Sequence, residues 1–201
     1  MRAFPIAVLL LSVSTYFFLQ RPYLSSSALS FVTSSSEFPN QAVVTLEEGK
    51  ISLISSALPE IPYGKVLVRV HYAPINPSDV YRALGSYQIE GIDSSSYPHP
   101  NGFEGSGVVV GSGGGFLASL YAYIGTHVGF IVPTSGSWSR FVICDPMEMF
   151  PLYFAGVSDL GGAAAFVNPM TVVGMLEVAR YVHLSHFLQL LFPALTFLLS
   201  F

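Results

Sequence analysis

Few side chains in this 201-residue sequence could hold a metal ion or act as a soft nucleophile: there are five histidines and one cysteine. A zinc site needs three or four N, S or O ligands converging on one point. His71, His99 and His127 are scattered along the chain without metal-ligand spacing, so they read as strand or surface residues and no metal centre is expected. His183 and His186 stand three apart and could share a helix face, but two ligands do not make a zinc site. Cys144 lies in the apolar run FVIC, which predicts a buried, inert thiol. A lone cysteine also excludes an internal disulfide framework and any Cys-rich zinc cluster.

The other motif with chemical potential is GSGGGF, residues 111–116, which follows an apolar strand and precedes FLASLYAY, a segment that could be helical. A dinucleotide fingerprint needs a third glycine where Phe116 stands, so that helix and strand can pack closely. It also needs an acidic residue about 20 positions on to hold the ribose, and residues 128–139 contain neither Asp nor Glu. The earlier frame, Gly105 and Gly107, puts Val110 at the third glycine. Both frames fail, and a glycine-rich turn between strands is the expectation.

The elements that would carry these residues are mostly short strands. KVLVRVHY (residues 65–72) alternates with period two and places Val66, Val68 and Val70 on one face. GVVVG (107–111), HVGFIV (127–132) and WSRFVIC (138–144) are three more apolar segments, with Gly and Pro punctuation throughout. Such spacing predicts a compact barrel or sandwich rather than a βαβ fold. Helix is expected around residues 77–84 and again over 160–179, where Pro169 interrupts the pattern. No internal repeat is visible. A net charge of -4 offers no broad basic surface, which argues against nucleic-acid binding.

Both ends differ from this middle. Arg2 precedes an apolar run over residues 3–19, as a secretory signal begins, and residues 24–36 are Ser-rich with no acid before Glu37, as in a transit peptide. Ala28 and Ser30 are small residues placed for cleavage before Phe31. The combination over residues 1–38 resembles the bipartite presequences of proteins sent to plastids through the secretory route. A mitochondrial presequence, which would want more arginine than Arg2 and Arg21, and a retained membrane anchor are the alternatives. Residues 181–201 form a second apolar run, broken by His183, His186 and Pro193. It reads as a membrane tail, as a helix capping the domain, or as the arbitrary end of a truncated product, the last being favoured.

Four segments in order, APINPSDVYRALGSY (73–87), NGFEGSGVVVGSGGG (101–115), GSWSRFVIC (136–144) and FVNPMTVVGMLE (166–177), carry a family signal. Together they resemble the N-terminal, GroES-like domain of medium-chain dehydrogenases/reductases, on the quinone oxidoreductase and enoyl reductase side. The resemblance covers about residues 41–180, within a domain drawn at 39–180. It implies a mainly β (α+β) fold: a partly open β-barrel with short helices, here without the Rossmann domain that the family joins to it. It also implies an oxidoreductase that takes hydride from NADPH and delivers it to a quinone, an enone or an enoyl thioester.

The resemblance assigns roles as well. In the zinc branch a histidine stands where this chain has Phe103 and a cysteine stands at or beside Asn76, so the chain resembles the zinc-free branch. In the enoyl-reductase branch a tyrosine closing the INPSD segment donates a proton or hydrogen bond to the developing enolate; Tyr87 holds that place, or merely packs. Tyr81 and Arg82 are weaker donors. Asn76 would shape the turn and orient groups near the nicotinamide, Asp79 would cap a short helix, and Glu104 would border the active site with Phe103 or serve as a paired structural carboxylate. Asn168 and Thr171, with Pro169, match the NPxT turn that touches the cofactor. Without a dinucleotide fold, little or no activity is expected of this chain alone. A membrane-attached binding or regulatory module is the other class of reading, and a partner supplying the nucleotide domain is a third. Membrane contact through either end and a homodimer are both compatible with the sequence.

Overall fold

The computed structural model describes residues 23–24, 40–87 and 97–181; apart from the short strand Tyr23–Leu24, the expected presequence and the apolar run after residue 181 lie outside the described residues. The chain divides into two units, Met1–Phe166 and Val167–Phe201.

In the first unit the strands are β1 (Tyr23–Leu24), β2 (Asn40–Glu47), β3 (Lys50–Ser56), β4 (Val66–Tyr72), β5 (His99–Pro100), β6 (Glu104–Ser112), β7 (His127–Ile131), β8 (Phe141–Cys144) and β9 (Met149–Pro151). Its helices are α1 (Pro77–Ala83), α2 (Phe116–Ile124), α3 (Leu152–Ala155) and α4 (Asp159–Ala163). The larger sheet runs β8-β4-β6-β7-β9 with β1 along the end of β6, and the smaller runs β3-β2-β5. Every pairing is antiparallel. The two sheets are stitched by a bridge between Ala42 and Ser139, by Val43 N–H donating to Trp138 O at 2.8 Å and by Arg140 N–H donating to Gln41 O at 2.8 Å. Hydrogen bonding does not close them into a ring, so the expected open barrel is a pair of joined sheets.

The core lies on one face of the larger sheet, where Val68, Val109, Val128, Phe130, Val142 and Cys144 pack under Ala118 and Ala122 of α2. Each such valine or phenylalanine contributes roughly 1.5–3 kcal/mol when fully removed from water. A second cluster, Leu67, Val110 and Phe141, forms on the opposite side with Leu58 and Ile61 over it. This corrects the half-buried reading of β4. Val66, Leu67 and Val68 are all buried, because the strand is central and covered on both faces; beyond them burial falls off along the strand, with Arg69 and Val70 half-buried and His71 and Tyr72 exposed. Cys144 is buried, and loss of hydration pushes its thiol far above the ordinary range, with the nearby acids Glu148 and Asp145 adding to the effect.

The glycine-rich stretch needs a second correction. It joins β6 to a helix, α2, rather than one strand to another, with Gly114 and Gly115 at φ of 100° and 90°. A nucleotide-binding turn would lead through a crossover to a parallel strand, yet the strand after α2 is β7, which returns antiparallel beside β6. Two of the turn's amides are already used: Gly113 N–H donates to Lys65 O at 3.0 Å and Gly114 N–H to Ser112 Oγ at 2.9 Å. The failed fingerprint therefore has a topological basis.

The second unit is described through one helix, α5 (Val167–Tyr181). Pro169 does not interrupt it. The proline falls in the first turn, where its missing N–H has no intrahelical acceptor in any case. The expected helix over 160–179 is thus two, α4 and α5, separated by residues 164–166.

Close approach of β4 and β6 depends on Gly107. A Cβ there would stand 2.1 Å from the Arg69 carbonyl oxygen, inside backbone that cannot move without parting the strands. Gly107→Ala is expected to destabilise the first unit by about 3 kcal/mol or more. Gly125→Ala, at φ of 65° with nothing within 4 Å, should cost only about 1 kcal/mol. Urea midpoints of the two variants check this, and equal losses would refute the packing account.

Candidate active site

The INPSD segment leaves the end of β4 and starts α1. Trp138 Nε1 donates to Pro74 O at 3.0 Å, which pins the approach to the helix. Asn76 is its N-cap residue, and Pro77 follows at a position where proline is well tolerated. Asn76 N–H donates to the Asp79 carboxylate at 2.7 Å, so Asp79 satisfies an amide that would otherwise be orphaned at the helix start.

The centre of the site is a buried carboxylate. Glu104, the first residue of β6, is wholly removed from solvent. Its Oε1 accepts from Asn76 Nδ2 at 2.9 Å and its Oε2 accepts from Phe166 N–H at 2.8 Å. Asn76, 3% exposed, is therefore engaged from both backbone and side chain. Through these two bonds Glu104 joins the helix cap, the strand it begins and the end of the first unit.

Phe103, one residue earlier, is buried between two neighbours. The Arg82 guanidinium lies 5.3 Å from its ring centroid, and the Tyr87 ring meets it edge-on at 6.1 Å and 62°. Arg82 is almost fully buried and donates from Nη1 to Pro133 O at 2.7 Å. Burial lowers its guanidinium pKa below the ordinary value, with Asp79 acting in the opposite direction. Arg82, expected only as a weaker donor, is thus packed into the site. Its position three residues after Asp79, on one helix face, was the available signal that the two belong to one buried set. Phe166 N–H has no such signal, since a backbone donor carries no residue code.

Tyr87 is 43% exposed and stands at the rim of this set, with its ring against Phe103. The structure thus brings together Asn76, Phe103, Glu104 and Tyr87. Asn168 and Thr171 lie on α5 in the second unit, where Thr171 Oγ1 donates to Val167 O at 2.7 Å. A cavity of about 570 Å³ beside Val70, Ile75 and Trp138 and another of about 600 Å³ under Leu120, Tyr121 and Leu152 are lined by other residues.

Two of the histidines, exposed on strands as expected, are brought together. His71 and His127, far apart in sequence, meet at Asp159, because β4 and β7 flank β6 and α4 lies across them. His99 stands apart from that cluster, buried and stacked on Tyr97 with ring centroids 5.2 Å apart.

This fold and this buried set define a class. Residues 62–172 match the model of the alcohol dehydrogenase GroES-like domain, and the chain belongs to that family. Among individual relatives, it is 30% identical over 152 residues to the mitochondrial enoyl-[acyl-carrier-protein] reductase of Arabidopsis thaliana, covering 69% of this chain and 36% of that protein. The quinone oxidoreductase of Thermus thermophilus, solved alone and with NADPH, is similar at 26% identity and a TM-score of 0.56, over 70% of this chain and 41% of that one. The mitochondrial 2-enoyl thioester reductase Etr1p/Etr2p heterodimer of Candida tropicalis shares the fold, at 24% identity and a TM-score of 0.56, over 72% and 44% of the two chains. The chain thus spans under half the length of each of these proteins.

Asp79 provides a titration test. Burial raises its carboxyl above the ordinary 3.8; the Asn76 amide pulls it back and the charge of Glu104 pushes it further up. The folded state then holds this proton more tightly than the unfolded chain. Its stabilising contribution is complete below the ordinary 3.8 and is lost as pH rises through the raised value. Asp79→Asn, which cannot ionise and can still accept from Asn76 N–H, should gain stability relative to the native chain as pH climbs from about 3 to 7. Urea midpoints across that range check it; a constant difference would contradict it.

Proposed function

We propose that this chain is the substrate-side domain of a zinc-independent, NADPH-dependent reductase acting on a quinone, an enone or an enoyl thioester. The observation that carries the reading is the environment of Asn76 and Phe103. Where the zinc branch of the family places a cysteine and a histidine, this chain has a carboxamide bound to Glu104 and a phenyl ring packed between Arg82 and Tyr87. Neither group is a zinc ligand. The Arabidopsis relative, an enoyl reductase, and the Thermus relative, a quinone oxidoreductase solved with NADPH, support the reaction class and the cofactor.

NADPH, when bound, supplies the hydride. The described residues form no dinucleotide cradle, since the glycine-rich turn spends the Gly113 and Gly114 amides internally and leads through α2 to an antiparallel strand. This chain's contribution is on the acceptor side. Hydride addition to an enone or quinone leaves negative charge on the substrate oxygen, and the half-exposed Tyr87 presents a phenol that can donate to it. The Phe103 ring sets the position of Tyr87, and Glu104 with Asn76 fixes the segment on which both depend. Asn168 and Thr171, which match the family's NPxT motif and lie near the start of α5, belong to the nicotinamide side of the reading.

The 201-residue chain alone should show little or no turnover, because hydride transfer depends on a positioned nicotinamide. Fused to the nucleotide-binding domain of the Arabidopsis relative, it should reduce an enoyl thioester or a quinone with NADPH, and a chelator should leave the rate unchanged. In that fusion Tyr87→Phe should lower kcat/KM on the order of 10²–10³-fold. Full activity of the phenylalanine variant, or a chelator-sensitive rate, would remove the basis of the reading.

Residues 1–38 act as an organellar presequence in this account. Their signal-then-serine pattern favours a plastid, whereas the Arabidopsis relative, a mitochondrial protein, supports the mitochondrion. A fluorescent protein carrying these residues should enter one of the two organelles; diffuse cytosolic fluorescence would contradict both.

A further inference from the structure

On the face of the larger sheet opposite the Val68–Val109–Val128 core, three side chains from three elements converge. His71 comes from the end of β4, His127 from the start of β7 and Asp159 from the first residue of α4. His71 Nδ1 is 2.5 Å from Asp159 Oδ2, and His127 Nδ1 is 2.9 Å from Oδ1. The two imidazoles meet edge to face with ring centroids 5.7 Å apart. All three ligand atoms lie within 4.8 Å of one another. The position of Asp159 is held independently of the histidines: Ser106 Oγ of β6 donates to its backbone carbonyl at 2.5 Å. Gly129 of β7 keeps α4 close, since a Cβ there would come within 2.9 Å of Gly162 O.

We propose that His71, His127 and Asp159 form a binding site for a divalent transition metal of the zinc type, separate from the Asn76–Glu104 set. Two imidazole nitrogens and one carboxylate oxygen are a ligand set that such ions take readily, with water in the remaining position. Ligands about 2.0–2.1 Å from a tetrahedral ion stand roughly 3.3 Å from one another. The observed separations bracket that value, so side-chain movements of about 1 Å seat the ion, without backbone change. On binding, the ion takes the place of the protons between the rings and the carboxylate; each imidazole then coordinates through Nδ1 and carries its proton on Nε2. Entry is open, since the His71 and His127 side chains are 26% and 51% exposed. Arg69 opposes the ion. Its Nη2 is 3.4 Å from His71 Nε2, where it adds positive charge and a donor facing the nitrogen that must itself carry a proton.

The site makes linked predictions, read on the full chain stripped of metal. Calorimetric titration with Zn²⁺ alone should show one ion per chain, with Kd on the order of 10 μM or tighter. Co²⁺ should give the visible absorption of a four- or five-coordinate ion, and X-ray absorption of the zinc-loaded native chain should count two imidazoles. His127→Ala and Asp159→Asn should each weaken binding at least about 10-fold, while Arg69→Ala should tighten it. A His183→Ala/His186→Ala double variant should bind as the native chain does. Kd weaker than about 1 mM would overturn the proposal, as would a count of fewer than two imidazoles. So would binding that survives Asp159→Asn and His127→Ala but disappears in the double variant. The absorption measurement on the native chain stands even where a variant fails to fold.

Discussion

The first unit depends on the solvation of one carboxylate. Glu104 lies where water does not reach, and a buried ionisable group of this kind is costly unless its oxygens are occupied. The protein meets that demand with the side chain of Asn76 and the backbone of Phe166. The consequence is architectural. Asn76 starts α1 and Phe166 ends the first unit, so a single side chain on β6 ties together parts of the chain 28 and 62 residues away. Losing either partner would leave an acceptor unsatisfied in an apolar setting, at about 1–3 kcal/mol. Phe103 and Tyr87 inherit their positions from this arrangement, Phe103 as the neighbour of Glu104 and Tyr87 through the helix that Asn76 caps.

The larger sheet divides its labour by face. One side is sealed by α2 and carries the valine core; the other has its own small apolar cluster and, beside it, a polar corner under α4. That division explains why some of the fold was legible in the sequence and some was not. Strands β4, β6 and β7 announce themselves as short apolar runs bounded by glycine or charge, and their existence was read correctly. β8 begins at Phe141, later than its apolar pattern suggested, because residues 138–140 instead bridge to the small sheet. Helix α2 was underestimated because FLASLYAY is apolar nearly all round and Gly115 offers no side chain to cap it.

For the candidate site, residue types were visible but their pairing was not. Asn76, Phe103, Glu104 and Tyr87 stand out through a resemblance in two short segments; the bond from Asn76 to Glu104 depends on where β6 starts relative to α1, which no local pattern encodes. The His71–Asp159–His127 corner was invisible for the same reason in stronger form. Its members lie 32 and 88 residues from Asp159 and meet only because antiparallel strands on either side of β6 present them to the short helix α4. Spacing rules detect ligands that share a helix or a loop, and these share neither.

The buried cysteine has a practical corollary. Cys144 is the chain's single thiol, and it pairs in register with Val66 at the edge of β4, inside the core. A reagent in solution reaches it only when the packing around it opens, whether β8 leaves the sheet or α2 lifts from it, so every alkylated molecule records one such opening. The protein thus carries its own stopwatch: the rate at which label accumulates at this sulfur, followed by mass, times the breathing of the sheet without any introduced probe.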